Sequence, residues 1–216
     1  MKGLLLKDFA LMKGQRRFFL MLLLIGMIPA LAGGNVGFLT VYLPFGFCFF
    51  TISTISYDEI DNSLPFLLIL PVSRREYAGE KYVYGIICGV GTLVLCQLLG
   101  IGYGIFHDDF LMIPYFVQGG VTAVIMIVFL AIMIPIQLKF GSEKGRIFLF
   151  AIVIAVMGSI AVLNRLRHLS IEAEKAVGFL ADIPVWGYIL GSIVLCVLAL
   201  GISYSISVKI MEKKEL

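Results

Sequence analysis

Charge is scarce in this chain: Asp, Glu, Lys and Arg make up 14% of its 216 residues, while 60% are apolar. Soluble domains carry roughly 25% charged residues, so a water-soluble globular protein is excluded and an integral membrane protein is implied. A mean hydropathy of +1.02 says the same. No Gly-Lys dipeptide occurs, hence no G-x-x-x-x-G-K-[ST] loop to cradle nucleotide phosphates, and no cofactor of the chain's own is expected. Cys48, Cys88, Cys96 and Cys196 lie within apolar runs without a C-x-x-C or Cys/His cluster, and read as small packing residues. Histidine is as sparse. His107 stands in a row with Asp108 and Asp109, and three consecutive residues cannot all face one ion from a helix, so a surface turn is expected there. His168, near Arg165 and Arg167, has no paired nucleophile. An intramembrane enzyme is therefore the weaker reading, and the chain is expected to be non-catalytic. Nothing points to nucleic acid.

What the chain does have is long apolar runs. Phe18 to Ser56 is 39 residues without Asp, Glu, Lys, Arg or His, enough for two spans with a turn at Gly33 to Gly37. Tyr82 to Phe106, Phe110 to Leu138, Ile147 to Asn164 and Ile183 to Val208 supply four more, which predicts an all-α integral membrane protein of six transmembrane helices forming one domain over 1–216. The apolar run after Arg17 continues into further membrane sequence and has no convincing cleavage site, unlike a signal peptide. Pro29, Pro44, Pro114 and Pro135 are expected to kink or start helices, as membrane bundles tolerate. Between the charged connections the spans carry no ionisable side chain, and their amides are Asn35, Gln97, Gln118 and Gln137, whereas ion-coupled transporters commonly use intramembrane carboxylates or histidines.

Lys and Arg fix the orientation. Fourteen of the 17 fall in the N-terminal segment, the second and fourth connections and the tail; Arg165, Arg167 and Lys175 lie on the opposite side. The positive-inside rule then puts both termini in the cytoplasm of a multi-pass cell membrane protein. Residues 1–17 read as an interfacial helix with Leu5, Phe9 and Met12 toward acyl chains, imperfect because Asp8 interrupts the apolar side. Residues 164–182 read as an amphipathic segment at the outer surface.

The cytoplasmic connection between spans two and three reads SYDEIDNSLPFLLILPVSRREYAGEKY. Its apolar centre is too short to cross a bilayer and too apolar for a solvated loop. Ser73-Arg74-Arg75-Glu76 is an S-x-x-E capping box flanked by Val72 and Tyr77 as a staple, so a helix is predicted to start at Arg74. Upstream, Asp61 or Ser63 can cap a short helix over Leu64 to Leu70, closed by Pro71. The result is an elbow over 57–81. Arg74 and Arg75 stand in a first turn whose dipole disfavours cations, so lipid phosphate or an acidic partner surface must favour them there.

This pattern, in a six-span chain that begins MKGLLLKDF, resembles the type-2 ABC exporter permease family, and within it the small stand-alone permeases of the phenol-soluble-modulin exporter kind. The resemblance implies a coupling helix in this connection that fits a groove on a separate ABC ATPase subunit, which would bind ATP and Mg. Carried over, the acidic start is Tyr57, Asp58, Glu59 and Asp61. The coupling segment runs from Leu64 through Phe66, Leu67 and Leu68 to Leu70. Pro71, Ser73, Arg74 and Arg75 lead into the next helix, and Lys81 and Tyr82 close the motif. The physical alternative is an interfacial helix resting on lipid head groups. The resemblance also implies a second permease copy, as a homodimer or a heterodimer, in a bacterial plasma membrane. Uncharged spans rich in Phe, Leu, Met and Gly suit amphipathic peptides such as toxins or antimicrobial peptides, with lipids and hydrophobic drugs as the alternative cargo.

Overall fold

The computed structural model describes residues 2–33, 36–60, 73–106, 111–167 and 185–213. Among the described residues all regular structure is helical: α1 (Lys2–Gly14), α2 (Arg16–Gly33), α3 (Gly37–Ile60), α4 (Arg74–Phe106), α5 (Met112–Arg167) and α6 (Val185–Lys213). Four of these contain stretches long and apolar enough to cross a membrane: Gly37–Glu59, Arg74–Ile105, Met112–Gly141 and Ile189–Lys213. The residues assigned by sequence to a first and a fifth span are also helical, as α2 and the part of α5 beyond Gly141.

Two boundaries differ from the sequence reading. The N-terminal helix stops at Gly14, so Arg16 and Arg17 open α2 instead of closing α1. Gln15 makes the turn: its N–H donates to the carbonyls of Leu11 and Met12, and its own carbonyl accepts from Phe18 and Phe19. The fourth connection is not a loop. Helix runs through it with one break at Gly141, whose φ of 77° and ψ of −176° belong to a region that essentially only glycine enters. One residue does the work expected of eight.

Pro29, Pro44 and Pro135 lie inside α2, α3 and α5, and Pro114 falls in the first turn of α5, where its missing N–H is no loss. Helices α3, α4 and the first arm of α5 form the centre. Cys48 and Ile55 of α3 meet Tyr77, Ala78 and Tyr82 of α4 and Met126, Leu130, Ile134 and Leu138 of α5. Gly89 permits the approach of α4 to both neighbours, because a Cβ there would lie 2.5 Å from the Met126 sulfur and 3.2 Å from that of Cys48. All four cysteines are free and buried. Helix α6 packs on α5 and α4, fixed by the Tyr82 hydroxyl between Ser203 (2.5 Å) and Ser207 (2.8 Å). The Ser203 hydroxyl also donates to the Ala131 carbonyl. Helix α2 packs chiefly on α3. At the end of the bundle near the start of α3, the Tyr115 hydroxyl accepts from Thr40 (2.9 Å) and donates to the Cys96 carbonyl (2.6 Å), joining α3, α4 and α5.

Candidate functional site

At the opposite end, five charged side chains from three helices meet beside the connection 61–72. Lys7 and Asp8 come from α1, Asp58 from the last turn of α3, and Glu80 and Lys81 from the second turn of α4. Tyr77 and Lys81 are four apart and so share a face of α4, as Thr54 and Asp58 do on α3; packing the two faces together brings all four side chains into one place. The Lys81 ammonium lies 2.5 Å from Asp8, 3.1 Å from Asp58 and 3.6 Å from Glu80, and donates to the Thr54 hydroxyl at 3.2 Å. Lys7 reaches Asp58 at 2.5 Å and Asp8 at 3.3 Å. The Tyr77 hydroxyl donates to Asp58 at 3.0 Å.

Asp8, Glu80 and Lys81 have no exposed surface, and Asp58 retains 3%. Removing charges from water costs several kcal/mol per ion, so the cluster persists only because each carboxylate faces an ammonium. Three carboxylates stand against two lysines. Neither Glu80 oxygen has a hydrogen-bond partner among the described residues, and Glu80 is the least satisfied member. Among the described residues no group of three or more His, Cys, Asp or Glu is arranged to hold a metal. Here the Lys81 ammonium occupies the space between the acids.

Helix α1 is held across the end of α3. Lys7 of α1 meets Asp58, and Gln15 in the turn that follows α1 meets the Tyr57 hydroxyl at 2.7 Å, so contacts eight positions apart along this stretch fall on adjacent residues of α3. A helix lying along α3 would not do this. The α1 residues expected to face acyl chains turn inward instead: Leu5, Phe9 and Met12 pack on Phe50, Tyr84 and Cys88, with the Phe9 and Tyr84 rings edge to face at 5.2 Å. Asp8 breaks the apolar stripe because that side of the helix faces protein, with Lys81 opposite it.

The predicted capping box is present. The Ser73 hydroxyl accepts from the Glu76 N–H at 3.2 Å, and Glu76 accepts from the Ser73 N–H at 2.9 Å. Arg74 and Arg75 find a partner that the sequence reading did not weigh. Arg74 donates to the carbonyls of Met211 (3.0 Å) and Glu212 (2.9 Å), and Arg75 to the Glu212 carboxylate at 2.8 Å. The two cations thus close the C-terminal end of α6, where free carbonyls favour positive charge. The Glu59 carboxylate stands beside Gly141, 2.9 Å from where a Cβ on that glycine would lie.

Of the residues assigned to the coupling element, the structure brings Asp58 into the buried cluster and sets Ser73, Arg74 and Arg75 at the head of α4 against α6. Asp61, Leu64, Phe66, Leu67, Leu68, Leu70 and Pro71 lie outside the described residues, as do His107 to Asp109 and most of 164–182. Sequence reasoning missed Asp8, Glu80 and Lys81 as buried groups. The available signal was Asp8 itself, an acid on an otherwise apolar helix side.

A helical bundle with several long apolar spans, tied together by charge at one end, defines a multi-pass membrane protein. Over residues 3–212 the chain matches the family model for ABC-2 family transporter protein, and it belongs to that family. It is accordingly an ABC transporter permease, of a class that is generally non-catalytic and served by ABC ATPases. No curated protein and no solved structure matches the chain.

Proposed function

We propose that this chain is the six-span permease subunit of an ATP-driven exporter akin to the phenol-soluble-modulin exporters. Both termini face the cytoplasm of a bacterial plasma membrane. A second permease copy and two ATPase subunits complete the transporter, with the pathway between the two permeases. The coupling element is the 61–72 connection, inserted in the ATPase through Leu64, Phe66, Leu67, Leu68 and Leu70.

The observation that carries this reading is the buried cluster. It joins the last turn of α3 and the first turns of α4, the two stems of the 61–72 connection, to α1, while Arg74 and Arg75 join the same stem to α6. A push delivered at the connection would therefore move four helices together, which is what a motor needs in order to act on a pathway at a distance. Asp58 acts in this scheme as an internal brace, not as a contact on the ATPase. The cargo is an amphipathic peptide, since a pathway without charge in its middle offers little to ions and accepts many apolar faces.

The test has two arms. Leu68→Asp places a charge in the proposed apolar contact and should abolish co-purification of the cognate ATPase, because burying an unpaired charge is strongly unfavourable; retention of the ATPase would restore the lipid-surface reading of the connection. In vesicles holding the wild-type complex, amphipathic helical peptides should stimulate ATP hydrolysis more than scrambled peptides of the same composition. Equal stimulation would favour a lipid or hydrophobic-drug exporter.

A further inference from the structure

Helix α2 leaves an apolar groove on each side of its contact with α3. One, of about 670 Å³, is lined by residues such as Phe18, Phe38, Tyr42, Phe45, Phe49 and Gln118 and contains no charged side chain. The other, of about 700 Å³, lies between α2 and α4, is backed by α3 and is floored by α1. Leu20 and Leu23 form one wall, Leu95 and Leu99 the other, and Phe47 the back; Lys13 and Arg16 line it where α1 turns into α2. No acid lines this groove, and neither Lys13 nor Arg16 has an ion pair or hydrogen bond among the described residues.

We propose that this second groove is a binding site for an anionic glycerophospholipid of the surrounding leaflet, with one acyl chain between α2 and α4 and the phosphate held by Lys13 and Arg16. From Arg16 to Leu23 the α2 wall runs ~10 Å along the helix axis, so the groove lies along the bilayer depth that an acyl chain leaving a head group at Arg16 would follow. The cationic end and the apolar length are arranged in the order of an amphiphile. Charge complementarity selects an anionic over a zwitterionic head group, and the uncharged groove on the other side of α2 shows that cations are not a general feature of this surface. The proposal concerns a bound lipid and holds whatever the exporter's cargo is.

The test uses the full chain in detergent, titrated with phosphatidylglycerol or phosphatidylcholine and read by native mass spectrometry. Each Lys or Arg near an anionic surface is worth about 1 kcal/mol, so Lys13→Gln/Arg16→Gln should weaken phosphatidylglycerol binding roughly ten- to thirtyfold and leave phosphatidylcholine unchanged. Lys2→Gln/Arg17→Gln removes the same charge from exposed positions that do not line the groove, and should keep the preference. Leu95→Trp, at an exposed wall position, should weaken both the wild-type and the charge-depleted protein by filling the groove. Equal losses in the two charge-depleted proteins would mean that general surface electrostatics govern the preference, and would overturn the site. Equal binding of the two lipids by the wild type would overturn it as well.

Discussion

Replacing Lys81 by methionine keeps much of the apolar stem and removes the charge at the centre of the cluster. Asp8 at 2.5 Å, Asp58 at 3.1 Å and Glu80 at 3.6 Å then lose their shared cation, and only Lys7 remains within reach of two of them. Breaking a buried pair by removing one partner costs about 3–5 kcal/mol, because the remaining charge stays desolvated. At ~2–4 °C per kcal/mol for a chain of this size, the melting temperature should fall by about 6–20 °C. The protein carries its own reporter: Cys48, Cys88, Cys96 and Cys196 are all buried, so a dye that fluoresces on reacting with thiols lights up as the bundle opens. Asp8→Asn in the same chain should recover part of the loss, with a coupling of about 1–3 kcal/mol, since the two side chains are in direct contact. The exposed pair of Arg75 and Glu212 is the internal contrast, and Arg75→Ala should leave the melting temperature near that of the wild type. A Lys81→Met protein that melts within about 4 °C of the wild type would refute the reasoning, as it would mean that the cluster carries no net stabilisation.

Three further outcomes are expected. In a background without native cysteines, single cysteines at Asp108 and Glu174 should react with an impermeant thiol reagent in intact cells, whereas one at Glu143 should not; labelling at Glu143 alone would invert the orientation. Gly141→Ala forces a side chain into a left-handed backbone and toward the Glu59 carboxylate, and should destabilise the protein by about 1–3 kcal/mol in the same dye assay. Tyr82→Phe leaves the buried Ser203 and Ser207 hydroxyls without their shared partner and should cost about 1–3 kcal/mol; no change in melting would show that α6 is held by apolar contact alone.

The helices and the start of α4 were legible in the sequence because their causes are local. Charge-free runs have few alternatives in a bilayer, and Ser73 and Glu76 satisfy each other within one turn. The turn at Gly141 was not legible, since a lone glycine between Phe140 and Ser142 looks like any loop residue until its φ is known. The charge cluster was illegible for a different reason. Asp8, Asp58 and Lys81 are far apart in sequence; Asp8 stood out as an acid on an apolar helix side, but nothing in the sequence named its partners, and Asp58 and Lys81 read alone are ordinary polar residues at a membrane surface. Only the crossing of α1 over the end of α3 puts them in one place. Arg74 and Arg75 show the same limit: their unfavourable position at a helix start was evident, while the partner that offsets it, the end of α6, lies 137 positions away for Arg74 and Met211.

The order in which the cluster's members leave the ribosome gives the N-terminal helix a role during synthesis. Lys7 and Asp8 emerge first, Asp58 follows, and Lys81 comes last, so Asp8 has no buried cation to meet until the start of α4 has been made. At roughly 5–20 residues per second, the interval between Asp58 and Lys81 is ~1–5 s. During that time α1 can remain with its charges in water, since the cation that meets Asp8 in the bundle has not yet been made. Arrival of Lys81 then supplies the cation that Asp8 meets in the bundle, so α1 can dock only after α3 and the start of α4 are in place to receive it.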